Sequence, residues 1–305
     1  MNKLLIVGTV AFDAIETPFG KTDKILGGSA PYIGLSASQF HVQSAIVSVV
    51  GGDFPKAYLE LFQAHHINTS AIEIIAEEKT FFWSGRYHKN MNARDTITTD
   101  LNVLTKFNPI VPDAFKDASV VVLGNLAPAN QANVISQLTN PKALIILDTM
   151  NFWMDNSLNE LLEVIKCVDI ITINDEEARQ LTGENSLVVA ARKIYEMGPK
   201  FVVIKKGEHG ALLFNEDRVF STPALPLEMV FDPTGAGDTF AGGFSGHLTK
   251  TNDFSFENMK RALIYGSAMA SFCVEEFGPE GLLNIEESAL AIRLQAFKKL
   301  TQFEL

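Results

Sequence analysis

The chain has 305 residues, a length that at roughly 150 residues per domain admits one or two domains. A hydrophobic fraction of 47% with 20% charged residues excludes a disordered or low-complexity chain, because this much apolar surface is buried in a core. Lys+Arg 25 against Asp+Glu 36 gives a net charge of -11, which repels phosphate backbones and argues against general nucleic-acid or anionic-membrane binding.

The opening run, residues 4–8, is apolar, but Asp13 and Glu16 arrive before a signal-peptide core is complete, so it reads as a buried first strand. Residues 11–26 alternate and are more polar, and residues 80–99 do the same, with Phe82, Ser84 and Arg86 followed by Thr96 and Thr98. Between these two stretches lie a strand at 45–50 and a helix at 54–66. The pattern predicts one small accessory sheet, a lid, inserted into a main domain spanning 1–305. Beyond it, 120–124, 144–147, 170–173 and 201–204 are short, nearly continuous apolar runs, as in strands buried on both faces. Helical stretches at 156–167 and 186–197 alternate with them, and Leu187, Ala190, Ala191 and Ile194 share one face of the second. A hairpin at 211–214 and 218–222 precedes helices at 241–248, 256–272 and 286–299. The expected fold is α/β, three layers around a mainly parallel central sheet, with the small β-sheet lid.

No run reaches the ~20 apolar residues of a membrane helix. Cys167 and Cys273 are too few for a disulfide framework or zinc cluster; they are expected as small core residues of a reducing compartment, with one disulfide left open. These features predict a cytoplasmic protein. His65, His66 and His209 lack ligand spacing and read as surface or packing residues. The 22 phenylalanines, against 5 tyrosines, read as core.

Common nucleotide signatures fail. Gly20-Lys21-Thr22 has Ile15 where a P-loop needs its first glycine, and Phe240 stands where a dinucleotide fingerprint needs its third. Phe231-Asp-Pro-Thr-Gly-Ala-Gly-Asp-Thr-Phe-Ala-Gly-Gly-Phe244 carries chemistry instead. Gly235 and Gly237 free the backbone for close approach, and the small-residue run from Thr239 makes the turn a helix N-terminus that favours an anion. A carboxylate beside such a turn, Asp238, is unfavourable unless it takes a proton from an attacking hydroxyl. The plain alternative is a capped helix after a glycine turn.

This stretch resembles the C-terminal signature of the PfkB, or ribokinase-like, carbohydrate and nucleoside kinases. The resemblance runs along the whole chain: Gly27-Gly28 before a small-residue helix is similar to the N-terminal signature, Asn174-Asp-Glu-Glu177 to the Asn-x-x-Glu motif, and Lys205-Lys-Gly-Glu-His-Gly210 to the nucleotide-binding strand end. It implies ATP-dependent transfer of the γ-phosphoryl group to a hydroxyl, primary by expectation, of a sugar or sugar-like metabolite. Asp238 would be the general base, and the amides of Gly235, Ala236 and Gly237 the anion hole. Asn174 and Glu177 would organise Mg²⁺ through water, with a monovalent cation also admitted. Lys205, Gly207 and Gly210 would line the nucleotide site. Asp13, with Gly27 and Gly28, would receive the acceptor under a lid that excludes water, and a homodimer joined through the lids is a further expectation.

Simpler readings stand beside these. Asn174 and Glu177 open a helix as cap and first-turn acid; Asp13 is a turn residue; Lys205 and Lys206 are solvated charges. Asp148 and Asn151 follow a strand where ligands gather and are weaker substrate candidates. Tyr32 replaces the asparagine that grips the sugar in the family, which sets this chain apart from ribokinase- or fructokinase-like recognition. Tyr32 either stacks on a base or narrows the pocket. Phe82 and Trp83 either cover a nucleobase or pack the lid, and Arg86 is a candidate for a phosphate or an acidic substrate. A nucleoside kinase is therefore the alternative on the same fold, and a non-catalytic nucleotide or sugar sensor the remaining one.

Overall fold

A computed structural model describes residues 2–302 and 304. Strand β1 (Lys3–Val7) is followed by β2 (Ala11–Thr17), β3 (Gly20–Lys21) and β4 (Ile25–Gly27), then α1 (Ser29–Ser38), β5 (Gln43–Gly51), α2 (Lys56–Ala64) and β6 (Ile67–Ile75). Strands β7 (Phe81–Tyr87) and β8 (Arg94–Asp100) precede β9 (Val120–Leu123), α3 (Pro128–Gln137), β10 (Leu144–Asp148), α4 (Asn151–Asn156) and α5 (Leu158–Ile165). The chain continues through β11 (Ile170–Asn174), α6 (Asp175–Thr182), α7 (Leu187–Glu196), β12 (Phe201–Lys205), β13 (Ala211–Asn215) and β14 (Arg218–Thr222), and ends in α8 (Ala236–Thr251), α9 (Phe256–Cys273) and α10 (Glu287–Thr301).

The main sheet has the order β14-β13-β12-β11-β10-β9-β1-β5-β6; it is parallel from β12 to β6, with the β13–β14 hairpin antiparallel at one edge. Side-chain alternation along each strand sends Leu4 and Ile6 into a core shared with Ile33 of α1 and Phe240 and Phe244 of α8. Leu5 and Val7 enter the opposite core, beside Val134 of α3, Val164 of α5 and Ile194 of α7. Both faces are thus covered, the reason these strands read as unbroken apolar runs. The smaller sheet, order β3-β2-β7-β8 with β4 on β2, is built from the two polar, alternating stretches, as expected.

Three details differ from the sequence reading. Strand β6 was not anticipated; it lies at the sheet edge with nearly half its residues exposed, so it lacks the continuous apolar signal. The helix expected over 156–167 is α5 (Leu158–Ile165), and the short α4, ahead of the break at Ser157 (φ -149°), was not anticipated. Cys167 is exposed and only Cys273 is buried; both are free thiols, since the turn after α5 carries Cys167 outward. Among the described residues no helix is long and apolar enough to cross a membrane.

Candidate active site

The parallel strands carry polar residues at their carboxyl ends, where ligands of α/β sheets gather. Asp148 ends β10, Asn174 ends β11 and Lys205 ends β12. The turn before α8 faces the same rim. Gly235 adopts a left-handed conformation (φ 74°), and a Cβ there would stand 2.5 Å from the Tyr32 ring, so only glycine fits. The amides of Gly235 and Gly237 have no protein acceptor among the described residues, whereas that of Ala236 closes a turn on the Pro233 carbonyl at 3.2 Å. Two donors of the expected three are therefore free, at the positive end of a sixteen-residue helix.

Asp238 is half-buried in the first turn of α8. Loss of hydration first, and the charge of Asp148 second, push its carboxyl up to about 7, against the pull of Lys205 and Arg94. Asp13, 5% exposed on β2, is also pushed up to about 7 by burial and by Asp232, with an N–H from Gly28 opposing. Gly27 is glycine because a Cβ there would overlap the Asp13 carboxyl, 2.1 Å from its Cγ. The glycine pair thus makes room for Asp13 itself as well as for an incoming ligand.

Asn174 and Glu177 form a reciprocal cap on α6: Asn174 Oδ1 accepts from the Glu177 N–H at 2.8 Å, and Glu177 Oε2 from the Asn174 N–H at 2.9 Å. The plain helix-opening reading is thereby realised, yet Glu177 Oε1 keeps no protein partner among the described residues. Burial lifts Glu177 to about 7, opposed first by Lys205. Among the described residues no three His, Cys, Asp or Glu side chains converge as a direct metal cage. The oxygen donors present fit a hard cation that keeps most of its waters, as Mg²⁺ does.

Lys205 is not a solvated charge. Its Nζ lies 2.6 Å from Asp148 Oδ2, which also accepts from Thr172 Oγ1 at 2.8 Å. Burial disfavours the ammonium, but Asp148 and then Glu177 outweigh that and hold Lys205 above the usual lysine range. Gly207 opens a short 3-10 turn just beyond. Gly210 (φ 82°) is needed by the hairpin, since a Cβ there would meet the Thr222 carbonyl at 2.0 Å.

Tyr32 does not offer a stacking face. It is 1% exposed beneath the Gly235 turn, because α1 packs its whole length against α8, and its hydroxyl is buried without a protein partner. Burial first, then neighbouring acidic groups including Asp13, push its hydroxyl well above the ordinary tyrosine range. On the small sheet, parallel pairing sets Trp83 beside Asp13 on one face, and alternation sends Phe82 and Arg86 to the other. Arg86 pairs there with Glu16 at 2.9 Å and does not face the rim. The Trp83 indole lies over Gly85, where a Cβ would come 2.3 Å from the ring, and its Nε1 donates to Thr96 Oγ1 at 3.3 Å.

Sequence reasoning placed Asp148 among the weaker candidates and did not single out Arg94, Tyr87 or Thr234. Thr234 Oγ1 donates to Tyr87 Oη at 3.1 Å, and Arg94 Nη1 donates to the same hydroxyl at 3.4 Å. Asp232 underpins the turn, accepting from the Thr234 N–H at 2.9 Å and the Gly278 N–H at 3.0 Å. The tip of the small sheet also reaches the strand end of β12, where Asn92 Nδ2 donates to Glu208 at 3.0 Å. A strand-end acid such as Asp148 was a detectable signal; Arg94 and Tyr87 sit in an alternating strand pair with none.

The model of the pfkB family carbohydrate kinase matches residues 1–285. A cytidine kinase of Thermococcus kodakarensis is 30% identical over 251 residues, spanning 80% of this chain and 87% of that protein. A ribokinase of Staphylococcus aureus is 27% identical, over 94% and 98% of the two chains. The nucleoside kinase of Methanocaldococcus jannaschii, described as an archaeal member of the ribokinase family, shares the fold at a TM-score of 0.78, with 22% identity over 97% of this chain and 98% of that one. The chain is thus a phosphotransferase, and it belongs to the pfkB carbohydrate kinase family.

Proposed function

We propose that this enzyme transfers the γ-phosphoryl group of ATP to the primary hydroxyl of the sugar of a nucleoside. The observation that carries the transfer step is Asp238, a carboxyl raised to about 7 beside two unpaired amides. A base of that strength accepts the hydroxyl proton near neutral pH, and the Gly235 and Gly237 amides face the charge that builds on the phosphoryl oxygens. Ala236 joins them if its turn bond to Pro233 opens. Mg²⁺, held through water by Asn174 and Glu177, neutralises phosphate charge when bound. Lys205 and Gly207 line the nucleotide side, while Gly210 holds the loop in shape.

The acceptor end supports a nucleoside over a bare sugar. Asp13 supplies an acceptor for sugar hydroxyls, and Trp83 lies on the same face of the lid, with the Arg94 guanidinium over its ring at 5.4 Å from the centroid. An aromatic ring beside Asp13 suits contact with a base. Tyr32 narrows the floor under the glycine turn. The lid's outward strand β8, where Ile97 is 57% exposed, suits a homodimer joined through the lids; a monomer in light scattering at working concentration overturns that part.

An ADP-release screen with ATP and Mg²⁺ against ribose, fructose, cytidine, adenosine and inosine, with and without potassium, tests the reading, with Asp238→Asn as control. Turnover of nucleosides, lost in the variant, is the expected result. Turnover of free sugars alone overturns the nucleoside assignment. Silence across the panel with ATP bound points to a sensor or another acceptor.

A further inference from the structure

The ion pair between Lys205 and Asp148 has no role in the steps above. Its side chains are 16% and 9% exposed, so both charges are largely out of water. Buried ion pairs are poor stabilisers, because apolar residues of the same volume often do as well or better. A pair retained at the rim of the candidate site calls for another reason.

Gly237 supplies it. Its backbone lies outside the left-handed region, so conformational freedom does not explain a glycine there. A Cβ at Gly237 would stand 3.2 Å from Lys205 Nζ, and within 4 Å it would meet Lys205 alone. The missing side chain leaves room for an ammonium against Gly237, whose N–H has no acceptor among the described residues. An ammonium has three donors, and among the described residues Asp148 is the one acceptor bonded to Lys205. Its other donors have no acceptor among the described residues, next to the residue whose amide is free. Asp148 is held by Thr172, and its charge is paired with the lysine.

We propose that Lys205 holds the transferred phosphoryl group together with the Gly237 amide, and that Asp148 is the positioning residue that aims the ammonium. The inference rests on the phosphotransfer reading above and adds a fixed cation at the terminal phosphoryl group itself. Lys205 stays protonated throughout; it binds the anion and moves no proton. Because charge spreads over the phosphoryl oxygens during transfer, a point charge already in place lowers the barrier without reorganising.

Calorimetry of the full chain with MgADP and with magnesium and AMP-PNP, a non-hydrolysable triphosphate, separates the possibilities. The double variant Lys205→Met/Asp148→Asn leaves no uncompensated buried charge. Its AMP-PNP affinity should fall roughly tenfold or more relative to its ADP affinity, the scale of one hydrogen bond to a charged group. Lys205→Arg should retain much of the preference. Asp148→Asn, which keeps its volume and the bond to Thr172, should lower the AMP-PNP-to-ADP affinity ratio, whereas a merely structural Asp148 would lower the melting temperature and leave that ratio alone. If the double variant does not fold, Asp148→Asn carries the comparison. An unchanged ratio in a folded variant overturns the assignment while leaving the kinase reading intact. A wild-type chain that binds neither nucleotide overturns both.

Discussion

The two sheets divide the site between two kinds of structure. The main sheet is covered on both faces, and what it presents at the rim are single residues at strand ends: Asp148, Asn174 and Lys205. Each is held by neighbours in register, with Asp148 opposite Thr172 and Asn174 opposite Lys205. The small sheet's residues reach the rim through side-chain ties such as Tyr87 to Thr234 and Asn92 to Glu208, besides packing such as Phe12 on Phe54. In the proposed function, phosphate chemistry would rest on the packed main sheet and acceptor contacts on the smaller sheet.

The largest test of this division is Asp238→Asn. It should lower turnover by about 10² or more with ATP affinity nearly unchanged, by coupled assay and calorimetry. Wild-type turnover in that variant removes Asp238 from catalysis. The wild-type rate itself should fall as pH drops below about 7, where the raised carboxyl takes up a proton and ceases to be a base.

Next comes stability against pH. Asp13 titrates at about 7 when folded against 3.8 ordinarily, so between those values the folded state binds the extra proton and stability falls as pH rises through that window. Asp13→Asn should therefore raise the denaturation midpoint above pH ~7, by on the order of 1 kcal/mol, and have little effect near pH ~4. A uniform shift at all pH values would deny the buried, raised carboxyl.

A smaller effect is expected from Tyr87→Phe, which removes the tie between the small sheet and the glycine turn. It should destabilise by about 1 kcal/mol, raise the acceptor KM and increase ATP hydrolysis without acceptor. An unaltered acceptor KM would mean that the two sheets act independently. The smallest effect belongs to Arg86→Ala, which breaks the exposed pair with Glu16 on the outward face and should change stability by under about 1 kcal/mol and kinetics not at all. A large kinetic loss there would reverse the assignment of the two faces.

Much was legible beforehand because the signals are local. Continuous apolar runs marked the buried parallel strands, and alternation marked the small sheet. Spacing within 231–244 placed a glycine turn at a helix start, where Asp238 and two of the three expected amides are found. Edge strand β6 escaped because nearly half of it faces solvent, and α4 because it is a single short helix of six residues ahead of the break at Ser157.

Side-chain direction was another matter. Tyr32 seemed open to a ligand until α1 was seen packed beneath Gly235, and Phe82, Trp83 and Arg86 looked equivalent until strand pairing sent one inward and two outward. Lys205 and Asp148, 57 residues apart, have no local pattern in common; the ends of β10 and β12, on either side of β11, bring them to 2.6 Å. Periodicity and glycine spacing are properties of neighbours along the chain, so fold class and the anion turn follow from the sequence alone. Charge pairing, burial and the face a residue shows depend on what packs across from it, and those only the folded chain decides.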